Sequence, residues 1–244
     1  MPPQNRITSK NLLLAALSPE DLQCYFSDLY PVSLSLRQVL YEAGAPLEHV
    51  YFIEEGVASV LTSMADGSTI EVGMIGMEGM VGATALLGGD VSAQQVIVQV
   101  PGTALRMSAT LCKAAFDRSE GVRRVALRFI EAILNLSAQT AACNRLHSIE
   151  QRCARWLLMA IDRIQSDRIP LTHEFLASML GVRRAGVTTT AGELQRSGLI
   201  RYHHGQLTIV DRAGLEATAC ECHRIDHERL IRLLLTTACP FGDG

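Results

Sequence analysis

From Pro31 the chain alternates with a period of two. Val32, Leu34 and Leu36 are apolar while Ser33, Ser35 and Arg37 are polar, the pattern of a half-buried strand. Further strands are predicted at Val50–Ile53, at Val57–Ser63, around Ile70, Val72 and Met74, through Val96, Val98 and Val100, and at Thr103–Met107. Turn signals separate them: Gly44-Ala45-Pro46, Glu55-Gly56, Asp66-Gly67 and Pro101-Gly102. Many short strands with regular turns predict a sandwich or jelly-roll, here a β-roll. A short helix precedes it, running to about Leu29. Ser18 caps it, Pro19 takes the first helical position, and Glu20 and Asp21 favour the positive end of the dipole.

From Thr110 the period becomes helical. A run from about Gly121 to His147 places Val122, Val125, Phe129, Ile133, Leu136, Thr140 and Cys143 near one stripe. Such a helix spans roughly 40 Å. Small residues (Ala126, Ser137, Ala141) lie beside the large ones, so the stripe is expected to pair in parallel with a second copy, with burial within one chain the competing reading. Another amphipathic helix, from about Ser148 to Gln165, holds the only tryptophan, Trp156.

The stretch from Leu171 to Val187 carries the most information. A helix-turn-helix needs apolar residues where two short helices cross, a small residue at the crossing and glycine in the turn. Leu176, Ala177, Leu180, Gly181, Val182 and Val187 fill those roles, and Thr172 is placed to cap the first helix. The second helix runs from near Arg183 to Gly198. Gly186, Gly192 and Thr188 to Thr190 make it poor in intrinsic propensity, so packing must support it. It offers Arg183, Arg184, Thr188 and Thr189, residue types suited to guanine, phosphate and thymine-methyl contacts. Leu199–Tyr202 and Leu207–Val210 around His203-His204-Gly205-Gln206 read as a hairpin wing. The predicted class is α+β, with four segments. They are a roll over 12–117, a long connecting and dimerisation helix over 118–147, a winged helix-turn-helix over 148–215 and a helical tail over 216–244.

The overall charge of −3 hides an asymmetry. Residues 1–117 carry 5 Lys and Arg against 12 Asp and Glu, and the remainder carry 17 against 13. The second half is therefore the one suited to a polyanion. No run reaches the roughly 18 to 20 apolar residues of a membrane span, and Leu12–Leu17 is too short for a signal-peptide core, so a soluble, cytoplasmic protein without membrane contact is expected. Seven scattered cysteines with no C-x-x-C pair argue for reduced thiols. Cys143 and His147 lie four apart, and the tail carries Cys220, Cys222 and His223 with His227 beyond. Thiolate and imidazole suit a metal or redox chemistry, yet no standard zinc spacing is present, and a tail helix with buried thiols is the competing reading. No metal is assigned from sequence and the cofactor stays open. Gly73, Gly76, Gly79 and Gly82 recur every third residue before Ala83–Leu87, either as turns between crowded strands or as a place where backbone approaches a ligand. No nucleophile turn, phosphate-binding loop or H-E-x-x-H helix is present, so an enzyme is not expected.

This order of parts resembles the Crp/Fnr superfamily of bacterial transcription regulators over about residues 20–215. The resemblance rests on Thr172–Leu199 and on Val50-Tyr51-Phe52-Ile53-Glu54-Glu55-Gly56. It implies a homodimer on a palindromic duplex operator, a small-molecule effector of unknown identity and contact with RNA polymerase. DNA contacts are expected from Thr172, His173, Arg183, Arg184, Thr188, Thr189, Arg201 and His203. Arg184 matches the family's guanine-reading arginine, while Ala185 and Thr189 stand where an acid and a second arginine occur in cyclic-AMP-binding members. The resemblance places an effector pocket at Gly79, Gly82, Ala83, Thr84, Ser92 and Ala93. Gly82 is followed by Ala83 rather than glutamate, and no arginine lies between Arg37 and Arg106 to meet a cyclic phosphate, so cyclic AMP is not the expected effector. Only Cys24 precedes Cys112, against an amino-terminal iron–sulfur cluster, and His49 is the only histidine before His147, against haem. The alternative function is a ligand, metal or redox sensor that acts through protein contacts on a fold that no longer reads DNA.

Overall fold

The computed structural model describes residues 9–164 and 166–237. Two short helices open it, α1 (Leu12–Ala15) and α2 (Pro19–Tyr25). Asn11 holds α1 in place: its Oδ1 accepts from the amides of Leu13 and Leu14, and its Nδ2 donates to the carbonyls of Ile53 and Gly79. Every polar atom of this buried side chain is used, so the Leu12–Leu17 stretch becomes a lid on the roll. Ser18 caps α2 as its sequence implies, accepting from Asp21 N at 3.1 Å.

The roll is one antiparallel sheet curled on itself, with strand order β1 (Tyr30–Leu34), β6 (Gln95–Ser108), β3 (His49–Ser63) and β4 (Thr69–Ile75). β2 (Val39–Tyr41) also pairs with β6, and β5 (Met80–Val81) with β3. The Asp66-Gly67 hairpin is present between β3 and β4. Glu55-Gly56 and Pro101-Gly102 are not turns. They are irregularities inside two long strands, where the β3–β6 register shifts on both sides of Glu55. A Cβ on Gly102 would overlap the Glu55 carbonyl, and one on Gly56 would press on the Val100 carbonyl. The two glycines let bulged backbones touch without reversing the chain, a use that local turn chemistry does not distinguish from a hairpin. Leu36 lies beyond β1 and is 48% exposed, not part of the inward stripe.

α3 (Ala109–Arg118) leads into α4 (Glu120–Leu146), which is capped by Ser119 and ends at His147. Val122, Val125, Ala126, Phe129, Leu136 and Cys143 are buried within the chain. The stripe expected to pair with a second copy is instead covered by the protein's own roll and helices. Phe129 lies over Gly79, where any side chain would collide with the ring. That contact explains one glycine of the three-residue repeat as close helix packing. The opposite face carries Leu127 at 45% and Leu134 at 65% exposure. Together with Ala138 and Ala141 these lie at spacings of seven, four and three along one face, a coiled-coil-like seam in which exposed Glu131 takes the position between Leu127 and Leu134.

α5 (Ile149–Ile164) is followed by β7 (Arg168–Pro170), α6 (His173–Leu180), α7 (Arg184–Arg196), β8 (Ile200–His203), β9 (Gln206–Ile209), α8 (Arg212–Thr218) and α9 (Cys222–Thr237). The second sheet has the order β7-β9-β8, so the wing gains a third strand that its sequence did not announce. This half packs directly on the roll: Val57, Leu61 and Met74 share a core with Trp156, Leu157, Leu176 and Leu180. Polar contacts cross the same boundary. Trp156 Nε1 donates to Glu71 Oε1 at 2.9 Å and Arg163 Nε pairs with Glu78 at 2.7 Å, while Ser137 Oγ of α4 donates to the Val72 carbonyl at 3.3 Å. Glu71 sits between Ile70 and Val72 and is itself buried, because both faces of β4 are covered. The roll, long helix and winged helix-turn-helix of the predicted α+β class are the architecture found, and no helix among the described residues is long and apolar enough to cross a membrane.

Candidate nucleic-acid interface

Thr172 caps α6, its Oγ1 accepting from Phe175 N at 3.1 Å. The chain then turns at Gly181, whose φ of +61° is the left-handed conformation that glycine takes without strain. Val182 N returns to the Ala177 carbonyl at 3.0 Å, and the buried guanidinium of Arg152 on α5 donates to the Leu180 carbonyl, so the end of α6 is closed from two sides. On α7, Val187, Thr190, Ala191 and Leu194 face the core. Arg184, Ala185, Thr188 and Thr189 are left exposed on the opposite face, with Arg183 at the cap. The Thr188 and Thr189 hydroxyls bond back to the carbonyls of Arg184 and Ala185, both at 3.1 Å. The buried face of Val187, Ala191 and Leu194 holds a helix of low intrinsic propensity, while the back-bonds only satisfy the two hydroxyls.

His173, expected among the DNA contacts, is occupied otherwise. Its ring stacks on Tyr202 with centroids 4.5 Å apart, Nδ1 meets Thr188 Oγ1 at 3.1 Å, and Nε2 is buried. Burial and the Arg184 charge lower its pKa. The imidazole is a bracket between α6, α7 and β8, with neither nitrogen left for a phosphate. Gln195 is a positioning residue that sequence reasoning missed: its Oε1 accepts from Tyr202 N at 2.8 Å and ties α7 to the wing. In the wing, His204 (φ 49°) and Gly205 (φ 76°) form the two-residue turn, and Arg201 and His203 are exposed. Arg183, Arg184, Thr188, Thr189, Arg201 and His203 therefore stand on solvent-facing positions of α7 and the wing.

Two of the residues named for an effector pocket are engaged by the fold itself. Gly79 is covered by Phe129, and Ser92 is buried with its hydroxyl donated to the Gln94 carbonyl at 2.7 Å. Both are used by the fold, which removes them from a ligand-binding set. Gly82 starts the 3-10 turn Ala83–Leu87 with a φ of +91°, while Thr84 and Ala93 are exposed.

At the far end of α4, Cys143, His147, Cys220 and Cys222 converge, their donor atoms all within 4.8 Å of one another. His223 does not join them, because its Nε2 faces Asp162 at 3.0 Å. The remaining tail cysteine, Cys239, lies outside the described residues.

A roll joined by a long helix to a winged helix-turn-helix defines a sensor–reader class of protein. Residues 31–119 match the cyclic nucleotide-binding domain family, and residues 151–218 match the Crp-like helix-turn-helix domain family. The chain belongs to the Crp/Fnr superfamily of transcription regulators. It is 25% identical over 197 residues to the transcriptional regulator LdrP of Thermus thermophilus, covering 75% of this chain and 93% of that one. In fold it is similar to FixK2 of Bradyrhizobium japonicum (TM-score 0.68, 15% identity, 79% of this chain and 98% of that one). It is also similar to a CRP-family transcriptional regulator of Thermus thermophilus (TM-score 0.66, 19% identity, 77% and 96%).

Proposed function

We propose that the protein is a homodimeric, sequence-specific DNA-binding transcription regulator whose roll answers an effector other than cyclic AMP. The observation that carries this reading is the exposed face of α7, where Arg184 and its neighbours project from a helix packed on α5 and α6 and tied to the wing through Gln195. Arg184 reads base edges, Arg183 and Thr189 assist, and Thr172 and the wing residues Arg201 and His203 hold phosphates. The apolar seam of Leu127, Leu134, Ala138 and Ala141 pairs two copies so that two reading helices meet adjacent major grooves. Because the roll shares a core with the helix-turn-helix, a change in the roll biases the angle of α7, which is how an effector would act. Contact with RNA polymerase belongs to the same reading.

The test is fluorescence anisotropy with a random-sequence duplex over a range of salt concentrations. Affinity is expected to fall as salt rises, and Arg183→Ala or Arg201→Ala should each flatten the log–log slope by about 1. Absent or salt-independent binding would refute the reading and favour a sensor that acts through protein contacts.

A further inference from the structure

We propose that Cys143, His147, Cys220 and Cys222 hold one zinc-type divalent cation that clips the end of α4 to the segment joining α8 to α9. The four donors come from two places in the chain. Cys143 and His147 lie one turn apart at the point where α4 stops, and Cys220 and Cys222 follow α8 after its extended cap at Ala219.

The spacing suits one ion. Zinc–sulfur bonds of about 2.3 Å and zinc–nitrogen bonds of about 2.0 to 2.1 Å put the corners of a tetrahedral site about 3.8 Å apart for two sulfurs and about 3.5 Å apart for sulfur and nitrogen. Cys143 Sγ and Cys220 Sγ are 3.5 Å apart, and Cys222 Sγ is 3.6 Å from His147 Nδ1. A disulfide would use two of the sulfurs and leave a third sulfur and an imidazole gathered at the same point without a reason. The three sulfurs form a buried cluster of their own, apart from the two apolar cores. Three thiolates and one imidazole complete a closed structural set of soft donors.

The surroundings orient these donors. His147 Nε2 faces Glu221 Oε2 at 3.2 Å, which leaves Nδ1 turned toward the sulfurs, the carboxylate–histidine arrangement found behind metal-bound imidazoles. Gln139 Nε2 donates to Cys222 Sγ at 3.1 Å, a hydrogen bond that supports a thiolate. The ion would join the last turn of α4 to the carboxyl end of the helix-turn-helix half, where binding energy becomes stability of that junction.

This site stands whether or not the chain reads DNA, and its test uses no DNA. Full-length protein purified anaerobically and reduced is expected to carry one zinc-class ion per chain by elemental analysis. After metal removal, Co2+ titration should give thiolate-to-cobalt charge-transfer and tetrahedral d–d bands that saturate at one equivalent and vanish when Zn2+ is added. Cys143→Ser and Cys222→Ser should abolish the bands, Cys24→Ser should retain them, and Glu221→Ala should weaken Co2+ binding by about 10 to 100-fold. If the serine variants fail to fold, the wild-type Co2+ titration decides alone. Reduced, folded protein that takes up no Co2+ would overturn the proposal. So would an iron–sulfur spectrum, or a Cys143–Cys220 disulfide found in the anaerobically purified protein before any reductant is added.

Discussion

Replacing Glu71 with Gln probes the junction between roll and reader at a buried carboxyl. The Glu71 carboxyl is buried, its Oε1 accepts from Trp156 Nε1 at 2.9 Å, and its Oε2 has no hydrogen-bond partner. Burial pushes its pKa up from 4.5 to about 7, against the opposing pull of nearby Ser59, of the Trp156 hydrogen bond and of the Arg163 and Arg155 charges. The folded protein therefore holds a proton that the unfolded chain releases at lower pH. This contribution is fully present below the unfolded value of 4.5 and is lost as pH rises through about 7. At about 1.4 kcal/mol per pH unit, the loss amounts to about 3 kcal/mol across that window. Urea unfolding from pH 5 to pH 8.5 should show wild-type stability declining toward neutrality and levelling above it, with Glu71→Gln removing most of that slope. Trp156, the only tryptophan, reports on the same proton, so its fluorescence should titrate near pH 7 in the wild type and not in the variant. A fluorescence midpoint near 4.5, or a slope that survives in Glu71→Gln, would refute the argument.

Two further outcomes follow from packing. Phe129→Ala empties the space over Gly79 and should lower stability by about 3 to 5 kcal/mol in urea unfolding, whereas a loss under about 1 kcal/mol would mean that α4 is not held to the roll there. Leu134→Glu puts a charge on the exposed seam of α4. It should shift sedimentation from dimer to monomer while circular dichroism shows the chain still folded, and an unchanged dimer would place the pairing surface elsewhere.

Much of this organisation was legible because period and turn chemistry are local. The Ser18 cap, the Asp66-Gly67 hairpin and the Thr172–Gly181 crossing each declare themselves within a few residues. What escaped depended on distant partners. Glu55-Gly56 and Pro101-Gly102 carry turn residues, yet their glycines answer to each other's backbone across β3 and β6. The apolar stripe of α4 was evident, but which neighbour covers it depends on where the roll folds back, and Gly79 accepts Phe129 there. Glu71 lies in an alternating strand as if exposed, and it is buried because a second domain covers that face. His173 looked like a free polar residue beside a reading helix until Tyr202 and Thr188 closed on it. The four thiol and imidazole donors were visible as residues. Their convergence was not, because Cys143 and Cys220 stand 77 positions apart in no recognised metal-binding spacing.

The central claim is that α7 reads DNA as one of a symmetric pair. Selection from random duplex DNA with purified protein, run in parallel with Arg184→Ala, tests it most directly. An enriched palindrome with half-sites about one helical turn apart is expected, and in the variant a relaxed preference at one base pair per half-site with a cost of about 1 to 3 kcal/mol. The same palindrome enriched equally by wild type and variant, or enrichment of single unpaired sites, would contradict it.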